Sequence, residues 1–404
     1  MNSSPLLSDE NKRIDIADVL RGIAVMGILV LHCIEHFNFY SFPQTESALL
    51  KFTDQVTWDS LFFLFGGKMY AVFALLFGFS FFIQNDNQER KGNDFRLRFA
   101  WRLVLLFLIG NLNAAFFSGE VLVLYSLVGF ILIPASRLSN KALLGLAIFF
   151  FIQPLELIKV TYVLLHPEHV WPASLSGIYF QMLGPAQMGD SLLQLIKTNL
   201  WEGQIASLTW AWDNGRVTQT ASLFLFGLLI GRRKLLLGKE ENLLFWFKAM
   251  LIALFGFFSL RGLQSMMPEF ITNGALLAPL AIMVRMWANF AFMVFLLSSI
   301  LLLFYKTKLQ ATFRAVIPYG KMSLTNYLMQ SVVGGFIFYG WGIGAYAYLG
   351  HTFSFLTGIV LVVLQLFFCR WWLASHKQGP FEYMWKKATW VAFPFFRQGS
   401  IIGD

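Results

Sequence analysis

Residues 18–40 read DVLRGIAVMGILVLHCIEHFNFY, and this stretch decides the fold class. From Gly22 to Leu31 it carries no charged or hydrogen-bonding side chain. A helix needs roughly 20 predominantly apolar residues to cross a hydrocarbon core of about 30 Å, and this stretch supplies them. Runs of the same kind follow at 59–84, 98–117, 120–137, 141–165, 217–236, 243–262, 276–305, 322–345 and 354–375. The expected architecture is an all-α, polytopic transmembrane bundle of about ten spans. It divides into a cytoplasmic tail (1–17), the bundle (18–375) and a C-terminal interfacial cytoplasmic segment (376–404).

Composition agrees. Of 404 residues 57% are hydrophobic and 13% charged, where soluble domains carry about 25% charged residues. Phe occurs 45 times, more large apolar surface than one soluble core of this size hides. The net charge of +9 sits in short clusters between apolar runs, which excludes a nucleic-acid face and fits contact with anionic membrane lipids. Cys33 and Cys369 both fall inside apolar runs, so neither a disulfide framework nor a zinc motif can be built.

The basic clusters Lys12-Arg13, Arg90-Lys91, Arg232-Arg233-Lys234 and Lys386-Lys387, with Arg397, fall on one side of a ten-span path. The other side holds only Lys51, Lys197 and Arg261. By the positive-inside rule both termini are cytoplasmic, in a multi-pass protein of a bacterial inner membrane. The first span lacks a small-residue cleavage site and reads as a retained signal anchor. The one long loop, 166–216, is outer, and its Leu192, Leu195, Ile196 and Leu200 at helical spacing read as interfacial. The aromatic-rich segment 381–396 reads the same way at the inner surface. Pro154 and the glycines at 340, 342 and 344 mark kinks or irregular turns.

Ionisable and amide side chains inside spans are functional candidates, because burying them in lipid costs free energy. At about 1.5 Å per residue His32 lies beyond the midplane, with Glu35 and His36 a turn further out. His32 and His36, four apart, share one helix face, with Glu35 beside them. Lys68, Arg216, Arg285 with Asn289, and Asn111, Asn113 and Glu120 fall at the same outer depth, which suggests a water-filled outward pocket. Glu156 and Lys159, three apart, neutralise one another. The HxxEH spacing from His32 to His36 formally matches a zinc-ligand pattern but lacks a third ligand, so no metal is expected. A second, inner set comprises Asp18, Arg21, Asn326, Gln330 and Arg370. No Walker or dinucleotide fingerprint is present.

Four regions carry a family resemblance: RIDIADVLRGIAVMGILVLH (13–32), GGKMYAVFALLFGFSF (66–81), IGNLNAAFFSGEVLVLYSLVGF (109–130), and GKMSLTNYLMQS (320–331) with GPFEYMWKKATW (379–390). On these the chain resembles the bacterial YeiB-like family, domain-of-unknown-function family 418. That family is distantly similar to membrane acyltransferases, which share an LRG-like start to the first helix. Relatives carry a histidine near the end of the third helix where this chain has Asn113, so a histidine role there is excluded. His32 stands where relatives often have asparagine.

The resemblance implies acyl transfer from a cytosolic thioester to an acceptor at or across the membrane. In this chain His32, then His36, would serve as general base, with Glu35 or Glu120 orienting it. Lys68 or Arg285 would stabilise the oxyanion. Asn113, Arg216, Asn289, Asn326 and Gln330 would line the site for a small-molecule, glycan or lipid acceptor. Arg21 and Arg370 would hold the phosphates of an acyl-CoA-like donor, with no tightly bound cofactor. The alternatives are a transporter or export factor for a small amphipathic molecule, or a non-catalytic membrane sensor.

Overall fold

A computed structural model describes residues 14–45 and 47–391. Lys12, Arg13, Arg397 and the end of the 381–396 segment lie outside the described residues. Among the described residues the chain is helical, with no strand.

The path is a series of reversals between a lower and an upper end. α1 (Asp15–Ile34) rises; α2 (Ala48–Phe65) meets α3 (Lys68–Glu89) at Gly66-Gly67, and α3 descends along α1. α4 (Arg96–Ala114) rises. α5 (Leu122–Val128) and α6 (Leu132–Ala135) descend; α7 (Asn140–Phe151) and α8 (Pro154–Leu165) rise with a 49° bend. An upper layer follows: α9 (Leu175–Met188), α10 (Leu192–Thr198) and α11 (Gln204–Asp213), with a π-helical turn at Asn199–Gly203. α12 (Arg216–Arg232) descends, α13 (Glu240–Phe270) rises and α14 (Gly274–Lys306) descends. The short α15 (Gln310–Arg314) and α16 (Ile317–Lys321) turn the lower end. α17 (Ser323–Phe338) rises, α18 (His351–Ser375) descends and α19 (Pro380–Thr389) closes the lower end.

Six stretches are long and apolar enough to cross a bilayer, seven if the bent pair α7–α8 is one span. Of the ten runs expected as spans, six or seven thus have the length and composition to cross a bilayer. The other three runs are helical but short: Leu122–Ala135, α12 with 17 residues and α17 with 16. At 1.5 Å per residue, α12 and α17 cover about 25 Å, less than the ~30 Å of hydrocarbon. Both are lined with buried hydroxyl and amide side chains, among them Thr218, Thr220, Ser222, Thr325 and Asn326. They are inner helices, shielded by neighbours, so lipid thickness does not set their length. Burial separates the layers. Of the apolar window of α1, 78% is buried, against 22% in α13 and α18, which face outward.

The inner layer is held by glycines. α3 and α12 run parallel, and a Cβ on Gly78 would overlap the carbonyl oxygen of Phe224, while one on Gly227 would overlap that of Leu75. Gly231, four residues on, faces the ring of Phe82. Small residues at this spacing let two backbones approach in a medium that offers no hydrophobic drive. α16 crosses α1 the same way, with Gly320 against the Asp18 carbonyl. At the lower end Glu382 accepts hydrogen bonds from the first amides of α17, Leu324 (2.8 Å) and Thr325 (3.0 Å). Arg232 donates to the carbonyls of Leu138 (2.6 Å) and Ser136 (2.5 Å), tying α12 to the α6–α7 turn.

Gly227→Leu is expected to abolish a monodisperse peak in size-exclusion chromatography, since overpacking costs about 1–3 kcal/mol or more where backbone must move. Gly256→Leu, where a Cβ meets open space, leaves the peak intact. Equal profiles for both would contradict the close α3–α12 crossing.

Candidate functional site

The upper end of α1 departs from the expected geometry. The helix stops at Ile34, and His36, Phe37 and Asn38 take φ of 49°, 53° and 67°. Three consecutive left-handed residues turn the chain sharply, so His32 and His36 do not share a helix face. Such φ values cost roughly 1 kcal/mol or more each for non-glycine residues. Neighbours hold them in place. The Tyr339 hydroxyl donates to the Phe37 carbonyl, and Gly334 leaves room for the Phe37 ring. His36 is fully buried, with Nδ1 on the Ser41 carbonyl (2.7 Å), Nε2 on the Ser354 hydroxyl (2.8 Å) and its ring stacked on Phe338. Both its nitrogens are engaged by neighbouring groups.

His32 is different. Its Nδ1 lies 3.5 Å from Glu35 Oε2, an ion-pair separation short of a well-formed hydrogen bond. Its Nε2 makes no hydrogen bond among the described residues, and its ring packs edge-on against Phe117 at 4.6 Å. Phe117 sits in the α4–α5 turn with Glu120, next to Asn113 in the last turn of α4, both buried. The Asn113 amide donates to Glu120, the Leu122 amide donates to its other oxygen, and Tyr327 approaches at 3.5 Å. The Ser207 hydroxyl of α11 donates to the Glu120 carbonyl (3.2 Å), and the Asn199 amide to that of Ala115 (3.2 Å). The upper layer is thus bonded to this turn.

The tyrosines continue inward. The Tyr125 hydroxyl donates to the Tyr70 carbonyl (3.0 Å), the Tyr70 hydroxyl meets that of Thr220, and Arg216 lies over the Tyr70 ring at 4.7 Å. Arg216 donates to Gln219 Oε1 (2.9 Å). A Cβ on Gly67 would lie 3.2 Å from Arg216 Nη2 and 2.9 Å from Asn289 Nδ2, so both groups converge on that glycine. Lys68, 6% exposed, donates to the Phe62 carbonyl (3.3 Å) and sits between the rings of Phe63 and Phe292. Arg285 donates to Asn214 Oδ1 (2.9 Å). Arg216 is within Coulombic range of both Lys68 and Arg285. Glu156 and Lys159 pair at 2.9 Å, as their spacing implies.

The inner candidates separate. Asn326 is fully buried and donates to the Tyr319 carbonyl (3.2 Å) and Cys369 (3.2 Å). Gln330 is 1% exposed with neither amide atom partnered. Arg21 pairs with Asp18 (2.8 Å) and donates to Ser80 (2.9 Å), whereas Arg370 is exposed on α18. The two guanidinium groups have different neighbours and do not form one phosphate clamp. No group of three or more potential metal ligands gathers among the described residues.

Reading the sequence for ionisable groups passed over Tyr70, Tyr125, Tyr327, Gln219 and Phe117, which connect the candidates. One signal was available. The dipeptides Gly67-Lys68 and Gly215-Arg216 each open an apolar run with a cation directly after a glycine.

These features define a multi-pass helical membrane protein with polar side chains buried toward the upper end of the bundle. Residues 230–392 match the family model described as "Protein of unknown function (DUF418)". Along its length the chain is similar to the Bacillus subtilis (strain 168) protein described as "Uncharacterized protein YxaH", 26% identical over 95% of this chain and 96% of that one. It is similar to an uncharacterized 39.9 kDa protein of Bacillus acidopullulyticus, 22% identical over 96% of each. It is also similar to "Uncharacterized protein YeiB" of Escherichia coli (strain K12), 24% identical over 92% of this chain and 95% of that one. These matches support a YeiB-like DUF418 assignment for residues 230–392 and a likeness of the whole chain to YxaH and YeiB. The matched segment holds Arg285, Asn289, Asn326, Gln330 and Arg370 but not His32, Glu120 or Arg216.

Tyr339→Phe leaves the buried Phe37 carbonyl without its donor, which costs about 1–3 kcal/mol. The expected result is a lower thermal midpoint in scanning fluorimetry of detergent-solubilised protein. An unchanged midpoint would show that the left-handed turn does not depend on this bond.

Proposed function

We propose that this protein transfers an acyl group from a cytosolic thioester to an acceptor at the outer side of the bacterial inner membrane. In this reading the chain crosses ten times with both termini cytoplasmic. Support comes from the three short inner helices, which continue the alternation of directions, and from Arg90, Arg232, Lys306 and Lys386 at the lower end. The upper end is then outer.

The single observation that carries the chemistry is the His32–Glu35 pair. Glu35 Oε2, 3.5 Å from Nδ1, is placed to hold the Nδ1–H tautomer once the pair closes to hydrogen-bond distance, leaving Nε2 as a proton acceptor, the base-and-orienter arrangement of general-base catalysis. Nε2 takes the proton of an acceptor hydroxyl, whose oxygen attacks the thioester carbonyl. The carbon–sulfur bond breaks, and the departing thiolate takes the proton from His32. Asn113 cannot accept that proton; its amide holds Glu120 instead. Arg21 lies about 16 Å below His32 along α1, at the helix rise of 1.5 Å per residue. A thioester donor must therefore reach up from the lower surface, with its phosphates among the cations there. An acyl-CoA-like molecule has that shape. Nothing here requires a resident cofactor.

Acyl transfer in membrane vesicles from cells producing the protein, supplied with labelled acyl-CoA on the cytoplasmic face, tests the reading. His32→Ala is expected to lower the rate about 10²–10⁴-fold, the usual contribution of a general base. Glu35→Gln reduces it less, and His36→Ala lowers thermal stability with little effect on the rate per folded molecule. Full activity in His32→Ala would falsify the mechanism. Solute flux in proteoliposomes without acyl donor would instead mark a transporter.

A further inference from the structure

The antiparallel helices α13 and α14 leave an open groove of about 620 Å³ between the first turns of α13 and the last turns of α14. Its apolar walls are Leu243, Leu244, Phe247 and Met250 from α13 with Leu302 and Leu303 from α14. Leu244, Phe247 and Leu303 are exposed, so the groove opens at the surface of the bundle. The larger side chains nearby do not fill it. The Trp246 indole donates to the Leu235 carbonyl (2.8 Å), and the Tyr305 hydroxyl donates to that of Leu236 (2.9 Å). Native packing leaves few voids larger than a water molecule, and this volume falls within the ~300–1,000 Å³ of ligand sites.

The groove carries charge at one end alone. There Lys306 Nζ lies 2.7 Å from each carboxylate oxygen of Glu240, and Thr307 lines the same end. Above it the walls are apolar as far as Met250 and Ser299, whose hydroxyl is spent on the Phe295 carbonyl (2.8 Å). Met250 lies ten residues beyond Glu240. At 1.5 Å per residue that is about 15 Å, half of the ~30 Å hydrocarbon core. The apolar slot therefore runs the depth of one leaflet, with its charged end at the lower surface.

We propose that this groove holds an acyl chain of a phospholipid whose zwitterionic, phosphoethanolamine-type headgroup sits on Glu240 and Lys306. The phosphate meets the Lys306 ammonium, and the headgroup amine meets Glu240, with Glu241 next to it in sequence. Glu240 and Lys306 are 82% and 49% exposed, so water already weakens their mutual attraction and the pair opens at little cost. A purely anionic headgroup would bring its charge against Glu240, whereas the zwitterion matches both signs. The site lies at the opposite end of the bundle from His32 and stands whether or not His32 carries out a reaction.

Native mass spectrometry of the full-length protein in a non-ionic detergent tests the proposal, with phosphatidylethanolamine or phosphatidylglycerol of the same acyl chains added separately. One retained phosphatidylethanolamine per protein is expected, favoured about threefold or more over phosphatidylglycerol. Leu303→Trp, which fills the groove from an exposed wall position, lowers that occupancy about tenfold; should it fail to fold, Leu244→Trp must do the same. Glu240→Gln removes the partner of the amine and abolishes the preference or turns it toward phosphatidylglycerol. Phe367→Trp, on the exposed face of α18, leaves occupancy unchanged. Equal retention of both lipids by the unsubstituted protein overturns the proposal, as does unchanged occupancy in the folded groove-filling variants. A doubled protein mass that those variants abolish would place a second copy of the chain in the groove instead.

Discussion

Gly78 and Gly227 bring α3 and α12 so close that the carbonyl oxygens of Phe224 and Leu75 occupy the space a side chain would need. Lipid gives helices no hydrophobic reason to associate, so this backbone approach, with the hydroxyl and amide groups around it, holds the inner layer. Its consequence is geometric. α3 and α12 run parallel and both begin at the upper end, with Arg216 beside Gly67, so Lys68 and Arg216 lie within electrostatic range of each other. Asn289 reaches the same level because α14 descends beside α3. The cationic centre follows from the packing.

A second arrangement begins where α1 ends. The left-handed turn at His36–Asn38 takes His36 out of line with His32 and presses it into a fully bonded structural position. That turn, the Tyr339 hydroxyl and the α4–α5 turn leave His32 with a carboxylate 3.5 Å from one nitrogen and, among the described residues, no hydrogen bond at the other. Tyr327, Tyr125 and Tyr70 run from this corner to Arg216, so the two centres belong to one polar belt. The upper helices α9–α11 are bonded over it through Asn199 and Ser207.

Much of the fold was legible from the hydropathy of the chain, because apolar run length reports directly on helices that face lipid. α1, α13, α14 and α18 appear close to where the runs predict them. Hydropathy also marks α12 and α17 but overstates their length, since both carry buried Thr, Ser or Asn against neighbouring helices and need not match the bilayer. The candidate residues were legible as types but not as partners. Placing His36 on the face of His32 assumed helix continuation, and no residue in IEHFNFY announces three left-handed residues; long-range contacts with Tyr339 and Gly334 impose them. Arg21 and Arg370 lie at the same end but among different neighbours, because depth along a helix says nothing about the direction a side chain faces. The Gly-Lys and Gly-Arg helix starts were visible, and dipole reasoning alone flags them.

The most direct test of this arrangement is a cross-link that requires no ligand or activity. With Cys33 and Cys369 replaced by alanine, Gly67→Cys and Asn289→Cys are combined and membranes are treated with a mild oxidant. A disulfide needs Cβ atoms about 3.5–4.5 Å apart, which the approach of the Asn289 amide to Gly67 nearly satisfies. The account predicts a reducible intramolecular bridge, and none when Gly67→Cys is paired with Ser375→Cys at the other end of the bundle. Failure of the 67–289 pair to bridge, with both thiols shown to be present and reduced beforehand, would contradict the convergence of α3, α12 and α14.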